Sequence, residues 1–196
     1  MILIGLTGNA GSGKSTVGNI LRELQHTVID VDLIVDELYE LDEVQAEIHD
    51  VFGPCVFKDG AADKDLLRTM IFSQETAKAK IEQIFHPRVH RTLAHRVAEH
   101  KHEELVFIEH PLIYEKGLVS DFDQVWLCHA PRDVKMIRLA ERGLSLKGAS
   151  NLLANQIPSE QSVSKADIVI DTTKPLESMK VTLAIECARN KTIGVA

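Results

Sequence analysis

Apolar residues along the chain alternate between two periods, that of a buried strand and that of an amphipathic helix. Residues 1–6 form an almost continuous apolar run, which predicts a strand that is buried on both faces. The next apolar residues, Val17, Ile20, Leu21 and Leu24, recur at helical spacing. The stretch between them is rich in glycine. The chain therefore begins with a strand, a glycine loop and a helix.

The pattern from residue 31 to about residue 98 is mostly helical. Apolar side chains recur there every three or four positions. Gly53-Pro54 and Asp59-Gly60 mark turns. His86-Pro87 predicts a helix boundary, because the residue before a proline avoids the α region, and a further helix is expected from Arg88 to about Lys101.

Strand and helix patterns alternate through the rest of the chain. This alternation predicts an α/β fold with three layers, in which helices cover both faces of a parallel sheet. Ser145 is expected to cap the helix that it begins. The further predicted strands are residues 26–30, 105–109, 124–128 and 166–171, and the further predicted helices are residues 132–142, 145–156 and 176–188.

Composition narrows the class of protein. The length of 196 residues predicts a single domain over residues 1–196, and the hydrophobic share of 44% is that of a globular protein. The net charge of −7 argues against a partner nucleic acid. No apolar stretch approaches the length of a membrane span, and no signal peptide is recognisable, so we expect a cytoplasmic protein without a membrane partner, either a monomer or a small homo-oligomer.

A phosphate-binding loop is predicted at residues 8–15, which match the pattern G-x-x-x-x-G-K-[ST]. The glycines allow backbone N–H groups to point at phosphate oxygens, and the helix that follows adds its positive end. Lys14 is expected to reach the β- and γ-phosphates of ATP, and the Ser15 hydroxyl to ligate Mg²⁺. The predicted nucleotide-binding residues of the loop are Gly8, Gly11, Ser12, Gly13, Lys14, Ser15 and Thr16.

The loop alone is compatible with a kinase, a GTPase or another ATPase. The chain contains no N-K-x-D guanine motif, and it is too short for an ABC-type ATPase. A small kinase remains, which needs a carboxylate near the acceptor hydroxyl, an acceptor-binding insertion and a cationic lid. We assign the helical residues 33–98 to the insertion and residues 138–165 to the lid.

Two aspartates and two arginines are the candidates for these further roles. Asp30 ends the second strand and Asp32 lies just beyond it, at the sheet edge where ligands bind in open α/β sheets. One of them could instead cap the next helix. Arg138 and Arg142 are four residues apart and share one helix face. They are candidates for the lid, although a solvated helix face would give the same pattern.

Cysteine and histidine spacing favours no further metal site. The cysteines Cys55, Cys128 and Cys187 are far apart and contain no C-x-x-C pair, so neither a disulfide framework nor a zinc site is predicted. His86 and His90 are four residues apart, but no carboxylate completes a recognisable ligand set.

The chain resembles the dephospho-CoA kinase family from residue 3 to about residue 170. Residues 5–17 are similar to the family's GLTGGIGSGKSTV, and residues 28–32 to its VIDAD. Further motifs follow in the family's order, which makes the resemblance more specific than the loop alone. They are Phe52-Gly53, Asp59-Gly60, His86-Pro87, residues 111–115 (PLIYE), Gln156 and Ala166-Asp167.

The resemblance implies the fold of P-loop nucleoside-monophosphate kinases and ATP-dependent phosphorylation of the ribose 3′-hydroxyl of dephospho-CoA. It implies that Asp32 is the catalytic base and that Arg138 belongs to the lid. Together with the loop motif and the shared helix face, we expect Lys14 and Arg138 to be catalytic cations and Arg142 to be among the ATP-binding residues. Another P-loop small-molecule or nucleotide kinase, and a nucleotide-binding regulatory module without catalysis, are the alternatives.

The sequence also differs from the family pattern at several positions. Asn9-Ala10 replaces Gly-Ile in the loop, and Lys64 replaces an arginine. Ser162 stands where a lid lysine is common. Residues 171–173 (DTT) replace a DN-[SNG]-G pattern near the adenine site.

Overall fold

A parallel sheet of five strands organises the residues that the computed structural model describes, which are residues 1–193 apart from the side chains of 72, 73, 159, 160, 192 and 193. The order of its strands is β2 (Thr27–Asp30), β5 (Leu105–Glu109), β1 (Ile2–Thr7), β6 (Gln124–His129) and β7 (Ile168–Asp171). All neighbouring strands run parallel, with β1 at the centre. The predicted α/β fold with a parallel sheet is confirmed.

The chain divides into two compact units. The first comprises Met1–Asp30 and the chain from Glu99 onward, and it contains the whole parallel sheet. The second is Val31–Ala98, which begins two residues before the predicted insertion and ends with it. The helices of the first unit are α1 (Lys14–Glu23), α6 (Arg132–Glu141), α7 (Leu146–Ala154), α8 (Ser159–Val163) and α9 (Leu176–Ile193), with a 3₁₀ turn at Leu118–Asp121.

The core of the first unit lies between one face of the sheet and two helices. Apolar side chains of β1, β5 and β6 pack there against α1 and α9. Phe107 and Trp126 meet edge to face, with their ring centroids 5.2 Å apart. On the opposite face of β1, a Cβ at Gly5 would lie 2.6 Å from Ile113, so the absence of a side chain lets Ile113 approach the strand closely.

The second unit is mostly helical. Buried apolar residues of its helices form its interior, where the rings of Tyr39 and Phe85 are 4.5 Å apart. Its elements are α2 (Val31–Tyr39), α3 (Asp42–Phe52), a 3₁₀ turn at Pro54–Val56, the hairpin strands β3 (Phe57–Lys58) and β4 (Ala61–Ala62), α4 (Lys64–Ser73) and α5 (Glu75–Glu99). The predicted turn at Asp59-Gly60 connects the two hairpin strands, and both of its residues have positive φ.

The predicted helix boundary at His86-Pro87 is wrong. One helix, α5, continues through Pro87 to Glu99. The Arg88 side chain donates to the Ile84 carbonyl at 2.7 Å and pairs with Glu47 of α3, also at 2.7 Å. These contacts, together with burial of Ile84 and Phe85, offset the hydrogen bond that the proline removes.

Smaller elements differ from their predictions. The last strand begins at Ile168 rather than at residue 166, and α8 and the hairpin have no counterpart among the predicted elements. Ser145 does cap α7, because its side chain accepts the Gly148 N–H at 3.1 Å. Within residues 1–193, no helix combines the length and the apolar character that a membrane crossing needs.

Candidate active site

The phosphate-binding loop connects β1 to α1 with a backbone that only glycines adopt easily. Gly8, Gly11 and Gly13 have φ values of +147°, +73° and +89°. A Cβ at Gly8 would also lie 2.4 Å from the Cys128 carbonyl oxygen. Gly13 caps α1 in the left-handed conformation. The structure therefore gives the predicted loop the backbone that such a loop requires.

The two polar side chains after Gly13 point to different parts of the site. Lys14 Nζ donates to the Gly8 carbonyl at 2.7 Å, so the ammonium group lies over its own loop. Ser15 Oγ donates to Glu109 Oε1 at 3.1 Å. The neighbouring Thr16 is exposed in the first turn of α1, whereas Ser12 is buried inside the loop.

Glu109 is a buried carboxyl group beside the loop. It ends β5, is 3% exposed, and pairs in register with Asp30 at the end of β2. Burial raises the pKa of Glu109, and the negative charge of Asp30 raises that pKa further. Within residues 1–193, its second oxygen, Oε2, has no hydrogen-bond partner. A Cβ at Gly18 would lie 2.7 Å from this oxygen, so the glycine leaves space for the carboxylate.

Ser15 and Glu109 fit a magnesium ion. Hydroxyl and carboxylate oxygens are ligands that Mg²⁺ prefers, and the unpaired buried oxygen of Glu109 lies on a carboxylate that already contacts Ser15. Sequence reasoning missed Glu109. The available signal was a carboxylate at the end of an apolar strand, the same signal that singled out Asp30. No cluster of three or more His, Cys, Asp or Glu side chains that could hold a metal occurs in the described part of the chain.

Arg138 and Thr172 hold the second half of the loop. The Arg138 guanidinium donates to the Gly11 carbonyl at 3.1 Å and to the Thr172 carbonyl at 2.7 Å. Thr172 is 3% exposed, and its Oγ1 lies 2.7 Å from the Ser12 carbonyl oxygen and 3.0 Å from an Arg138 nitrogen. Thr172 belongs to the segment that differs from the family pattern, and sequence reasoning assigned it no role.

The predicted lid arginines occupy different surroundings. Arg138 is half-buried on α6, and its guanidinium contacts the backbone of the loop. Arg142 occupies the C-cap position of α6, and its side chain is exposed. Their predicted roles in catalysis and in ATP binding stay predictions.

The second unit has a cavity of its own. Its volume is about 550 Å³, and Asp32 contributes to its wall from the first turn of α2. Lys64 Nζ lies 2.7 Å from Asp36 Oδ1 and 4.9 Å from the centre of the Tyr39 ring. Arg68 adds a second cationic side chain. The lining residues are Asp32, Val35, Asp36, Tyr39, Lys64, Arg68 and Ile71.

These groups suit two parts of a phosphoryl transfer. The loop, with the Lys14 ammonium over it and the Ser15–Glu109 pair beside it, carries the kinds of groups that bind phosphates and Mg²⁺ in phosphoryl transfer. The cavity of the second unit presents two carboxylates, two cations and an aromatic ring. Asp36 already pairs with Lys64, which leaves Asp32 to contact a hydroxyl and Arg68 to attract the charge of an anionic acceptor.

Sequence comparison relates the chain to one family. A family model described as dephospho-CoA kinase matches residues 2–177. The dephospho-CoA kinase of Moorella thermoacetica is 35% identical over 93% of this chain and 89% of its own length. That of Corynebacterium glutamicum is also 35% identical, over 93% of this chain and 96% of its own length.

Solved structures agree with this likeness. A Thermus thermophilus protein superposes with a TM-score of 0.87 and 32% identity, covering 96% of this chain and 97% of that protein. The dephospho-CoA kinase from Campylobacter jejuni gives a TM-score of 0.71 at 26% identity, covering 95% and 97% of the two chains. Shikimate kinase from Acinetobacter baumannii, with a TM-score of 0.51 and 18% identity over 96% of this chain and 94% of that one, shares the fold.

The E109Q substitution is expected to raise the melting temperature of the protein without nucleotide and Mg²⁺ near pH 7.5. Because the folded-state pKa of Glu109 lies above its ordinary value of 4.5, folding favours the protonated carboxyl. Wild-type stability then falls as pH rises from the ordinary pKa through the raised one, whereas glutamine stays neutral. The advantage of E109Q should therefore be full above the raised pKa and vanish below about pH 4.

Calorimetry over a pH series measures this difference. E141Q is the matched control, because Glu141 is exposed on α6 and its substitution should give little difference at any pH. An E109Q protein that melts below the wild type near pH 7.5 would show that the carboxylate is stabilised in the folded state.

Proposed function

The chain belongs to the dephospho-CoA kinase family, and from this premise we propose how its own residues carry out the family's reaction. In that reaction the γ-phosphoryl group of ATP passes to the ribose 3′-hydroxyl of dephospho-CoA, which yields coenzyme A and ADP in the last step of coenzyme A biosynthesis. The observation that carries the proposal is the phosphate-binding loop with the Ser15–Glu109 pair beside it, in a chain that matches the family over residues 2–177.

The loop and its neighbours bind ATP. The loop N–H groups hold the phosphates, and the Lys14 ammonium contacts the β- and γ-phosphates. Ser15 and Glu109 would hold Mg²⁺, which neutralises charge on the phosphate oxygens when bound. Arg138 adds positive charge beside Gly11 while it supports the loop. Arg142, exposed at the end of α6, is a further cation for ATP.

Dephospho-CoA binds in the cavity of the second unit. Lys64 and Arg68 attract its pyrophosphate, and the Tyr39 ring supplies an apolar contact surface. Asp32 accepts a hydrogen bond from the 3′-hydroxyl, orients it for in-line attack and takes its proton late in the transfer. Because a carboxylate is a weak base towards an alcohol, orientation is the larger part of this role.

The setting of the reaction follows from the substrates. We propose a cytoplasmic enzyme, a monomer or a small homo-oligomer, whose partner is a small molecule rather than a nucleic acid or a membrane. The net charge of −7 supports a small-molecule partner over a nucleic acid, because an acidic protein offers only a few local cations to phosphate groups.

A coupled ADP-release assay tests the function. Wild-type protein is supplied with MgATP and, separately, with dephospho-CoA, adenosine, nucleoside monophosphates and shikimate. Release that requires dephospho-CoA, with coenzyme A as the product by mass, is the expected result. Release with another acceptor and none with dephospho-CoA would indicate a different small-molecule kinase, and nucleotide binding without release to any acceptor would indicate a regulatory module.

The D32N substitution is expected to lower kcat at least ~100-fold while the Kd for ATP stays the same. The amide neither accepts the hydroxyl proton nor orients the hydroxyl as a carboxylate does. Steady-state kinetics and calorimetric ATP titration measure the two quantities. D42N, which changes an exposed aspartate of α3, is the matched control. A kcat close to that of the control would show that Asp32 has only a structural role at the start of α2.

The K64A substitution is expected to raise the KM for dephospho-CoA about tenfold and to leave the KM for ATP unchanged, because it removes one charged contact to the acceptor. K64R should retain most of the affinity. K58A removes the same charge from an exposed lysine of β3 that does not line the cavity, and it serves as the control. A rise in the KM for ATP instead would argue against the cavity as the acceptor site.

A further inference from the structure

Two hydrogen bonds tie the first half of the phosphate-binding loop to the connection between α7 and α8, residues 155–158. The Ala10 backbone N–H donates to Gln156 Oε1 at 2.9 Å. The Asn9 side-chain amide donates to the Ile157 carbonyl at 3.1 Å. The loop is the donor in both bonds, once from its backbone to a side chain and once from a side chain to the backbone. Consecutive residues are joined on each side, so each segment aligns the other.

This connection is also held from a third element. The Ile157 backbone N–H lies 3.3 Å from Glu115 Oε1, in the segment that follows β5. Gln156 and Glu115 both belong to motifs by which the chain resembles its family, and neither has a part in the binding and transfer steps proposed above. The structure brings both of them to the same short connection.

Asn9 is buried and Gln156 is half-buried. Asn9 is 8% exposed, and both residues line a cavity of about 470 Å³ beside the loop. The buried Lys135, which is 5% exposed, lines the same cavity from α6. Both hydrogen bonds are partly buried, so losing one costs part of the desolvation penalty of the group left behind.

The position of these bonds complements the contacts of Arg138 and Thr172. Those two residues hold Gly11 and Ser12, the second half of the loop. Asn9 and Ala10 come after Gly8, whose backbone has few steric restraints of its own. Without the bonds to the α7–α8 connection, the first half of the loop would sample more conformations and lose more entropy when it orders around phosphate.

We propose that Asn9 and Gln156 are positioning residues that keep the phosphate-binding loop in its binding shape and couple it to the α7–α8 connection. Nucleotide binding then orders this connection, and the connection in turn sets nucleotide affinity, since coupling between two sites is reciprocal. The inference rests on the proposed function only in requiring that the loop binds a nucleotide.

Nucleotide affinity of single and double variants tests the proposal. Q156A and N9A should each raise the Kd for ADP, measured by calorimetry, about threefold to tenfold, which is the effect of losing one hydrogen bond. Each should raise the KM for ATP by a similar factor. The KM for dephospho-CoA should change less than twofold. The double variant should lose less than the product of the two single effects, because both bonds restrain the same loop.

Two further variants separate positioning from general stability. Q156E keeps an oxygen acceptor for the Ala10 N–H, so its ADP affinity should be closer to wild type than that of Q156A. N155A changes the exposed neighbour of Gln156 and should bind ADP as the wild type does. If Q156A does not fold, N9A and Q156E still decide the question.

Hydrogen exchange measures the coupling itself. ADP should slow exchange of the backbone amides of residues 155–157 in the wild type and have a smaller effect there in the double variant. Wild-type ADP affinity in Q156A and N9A, with only a lower melting temperature, would overturn the proposal. Because these measurements use ADP alone, a protein that binds ADP yet leaves dephospho-CoA unphosphorylated contradicts the proposed function and not this inference.

Discussion

The backbone shape of the phosphate-binding loop is the constraint on which the rest of the structure depends. Glycines make that backbone shape accessible, but they do not enforce it, because a glycine can adopt many other backbone conformations equally well. Side chains from other elements restrict it: Arg138 and Thr172 hold one half, and Asn9 and Gln156 hold the other. The loop is therefore maintained by contacts that are distant in sequence.

The order of the strands distributes these contacts by charge. On one side of β1, the strands β5 and β2 end in Glu109 and Asp30. On the other side, β6 leads into α6 with Arg138, and β7 leads to Thr172. Carboxylates, which suit a metal ion, and cationic or hydroxyl groups, which suit phosphate and backbone carbonyls, thus approach the loop from opposite flanks. Although the chain is acidic overall, a few of its cations are in this way concentrated beside the loop.

Sequence reasoning reached the features that are local in the chain. The loop, the strand that precedes it and the Ser145 cap depend on residues within one short window, and their patterns are specific. Glu109 and Thr172 were missed because their roles follow from which strands are neighbours, which periodicity does not reveal. The boundary at Pro87 was wrong because contacts with α3 outweigh a local preference.

The second unit, which we propose binds the acceptor, is one continuous stretch of chain that begins after Asp30 and ends before Glu99. The strands of the parallel sheet all belong to the remainder of the molecule, so a different helical stretch spliced between these two junctions would keep the strand sequences intact. Gene rearrangement could in this way diversify what receives the phosphoryl group while the nucleotide machinery is inherited unaltered. A chimeric kinase built at these junctions would need a carboxylate in the place of Asp32, because Asp32 lies within the exchanged stretch.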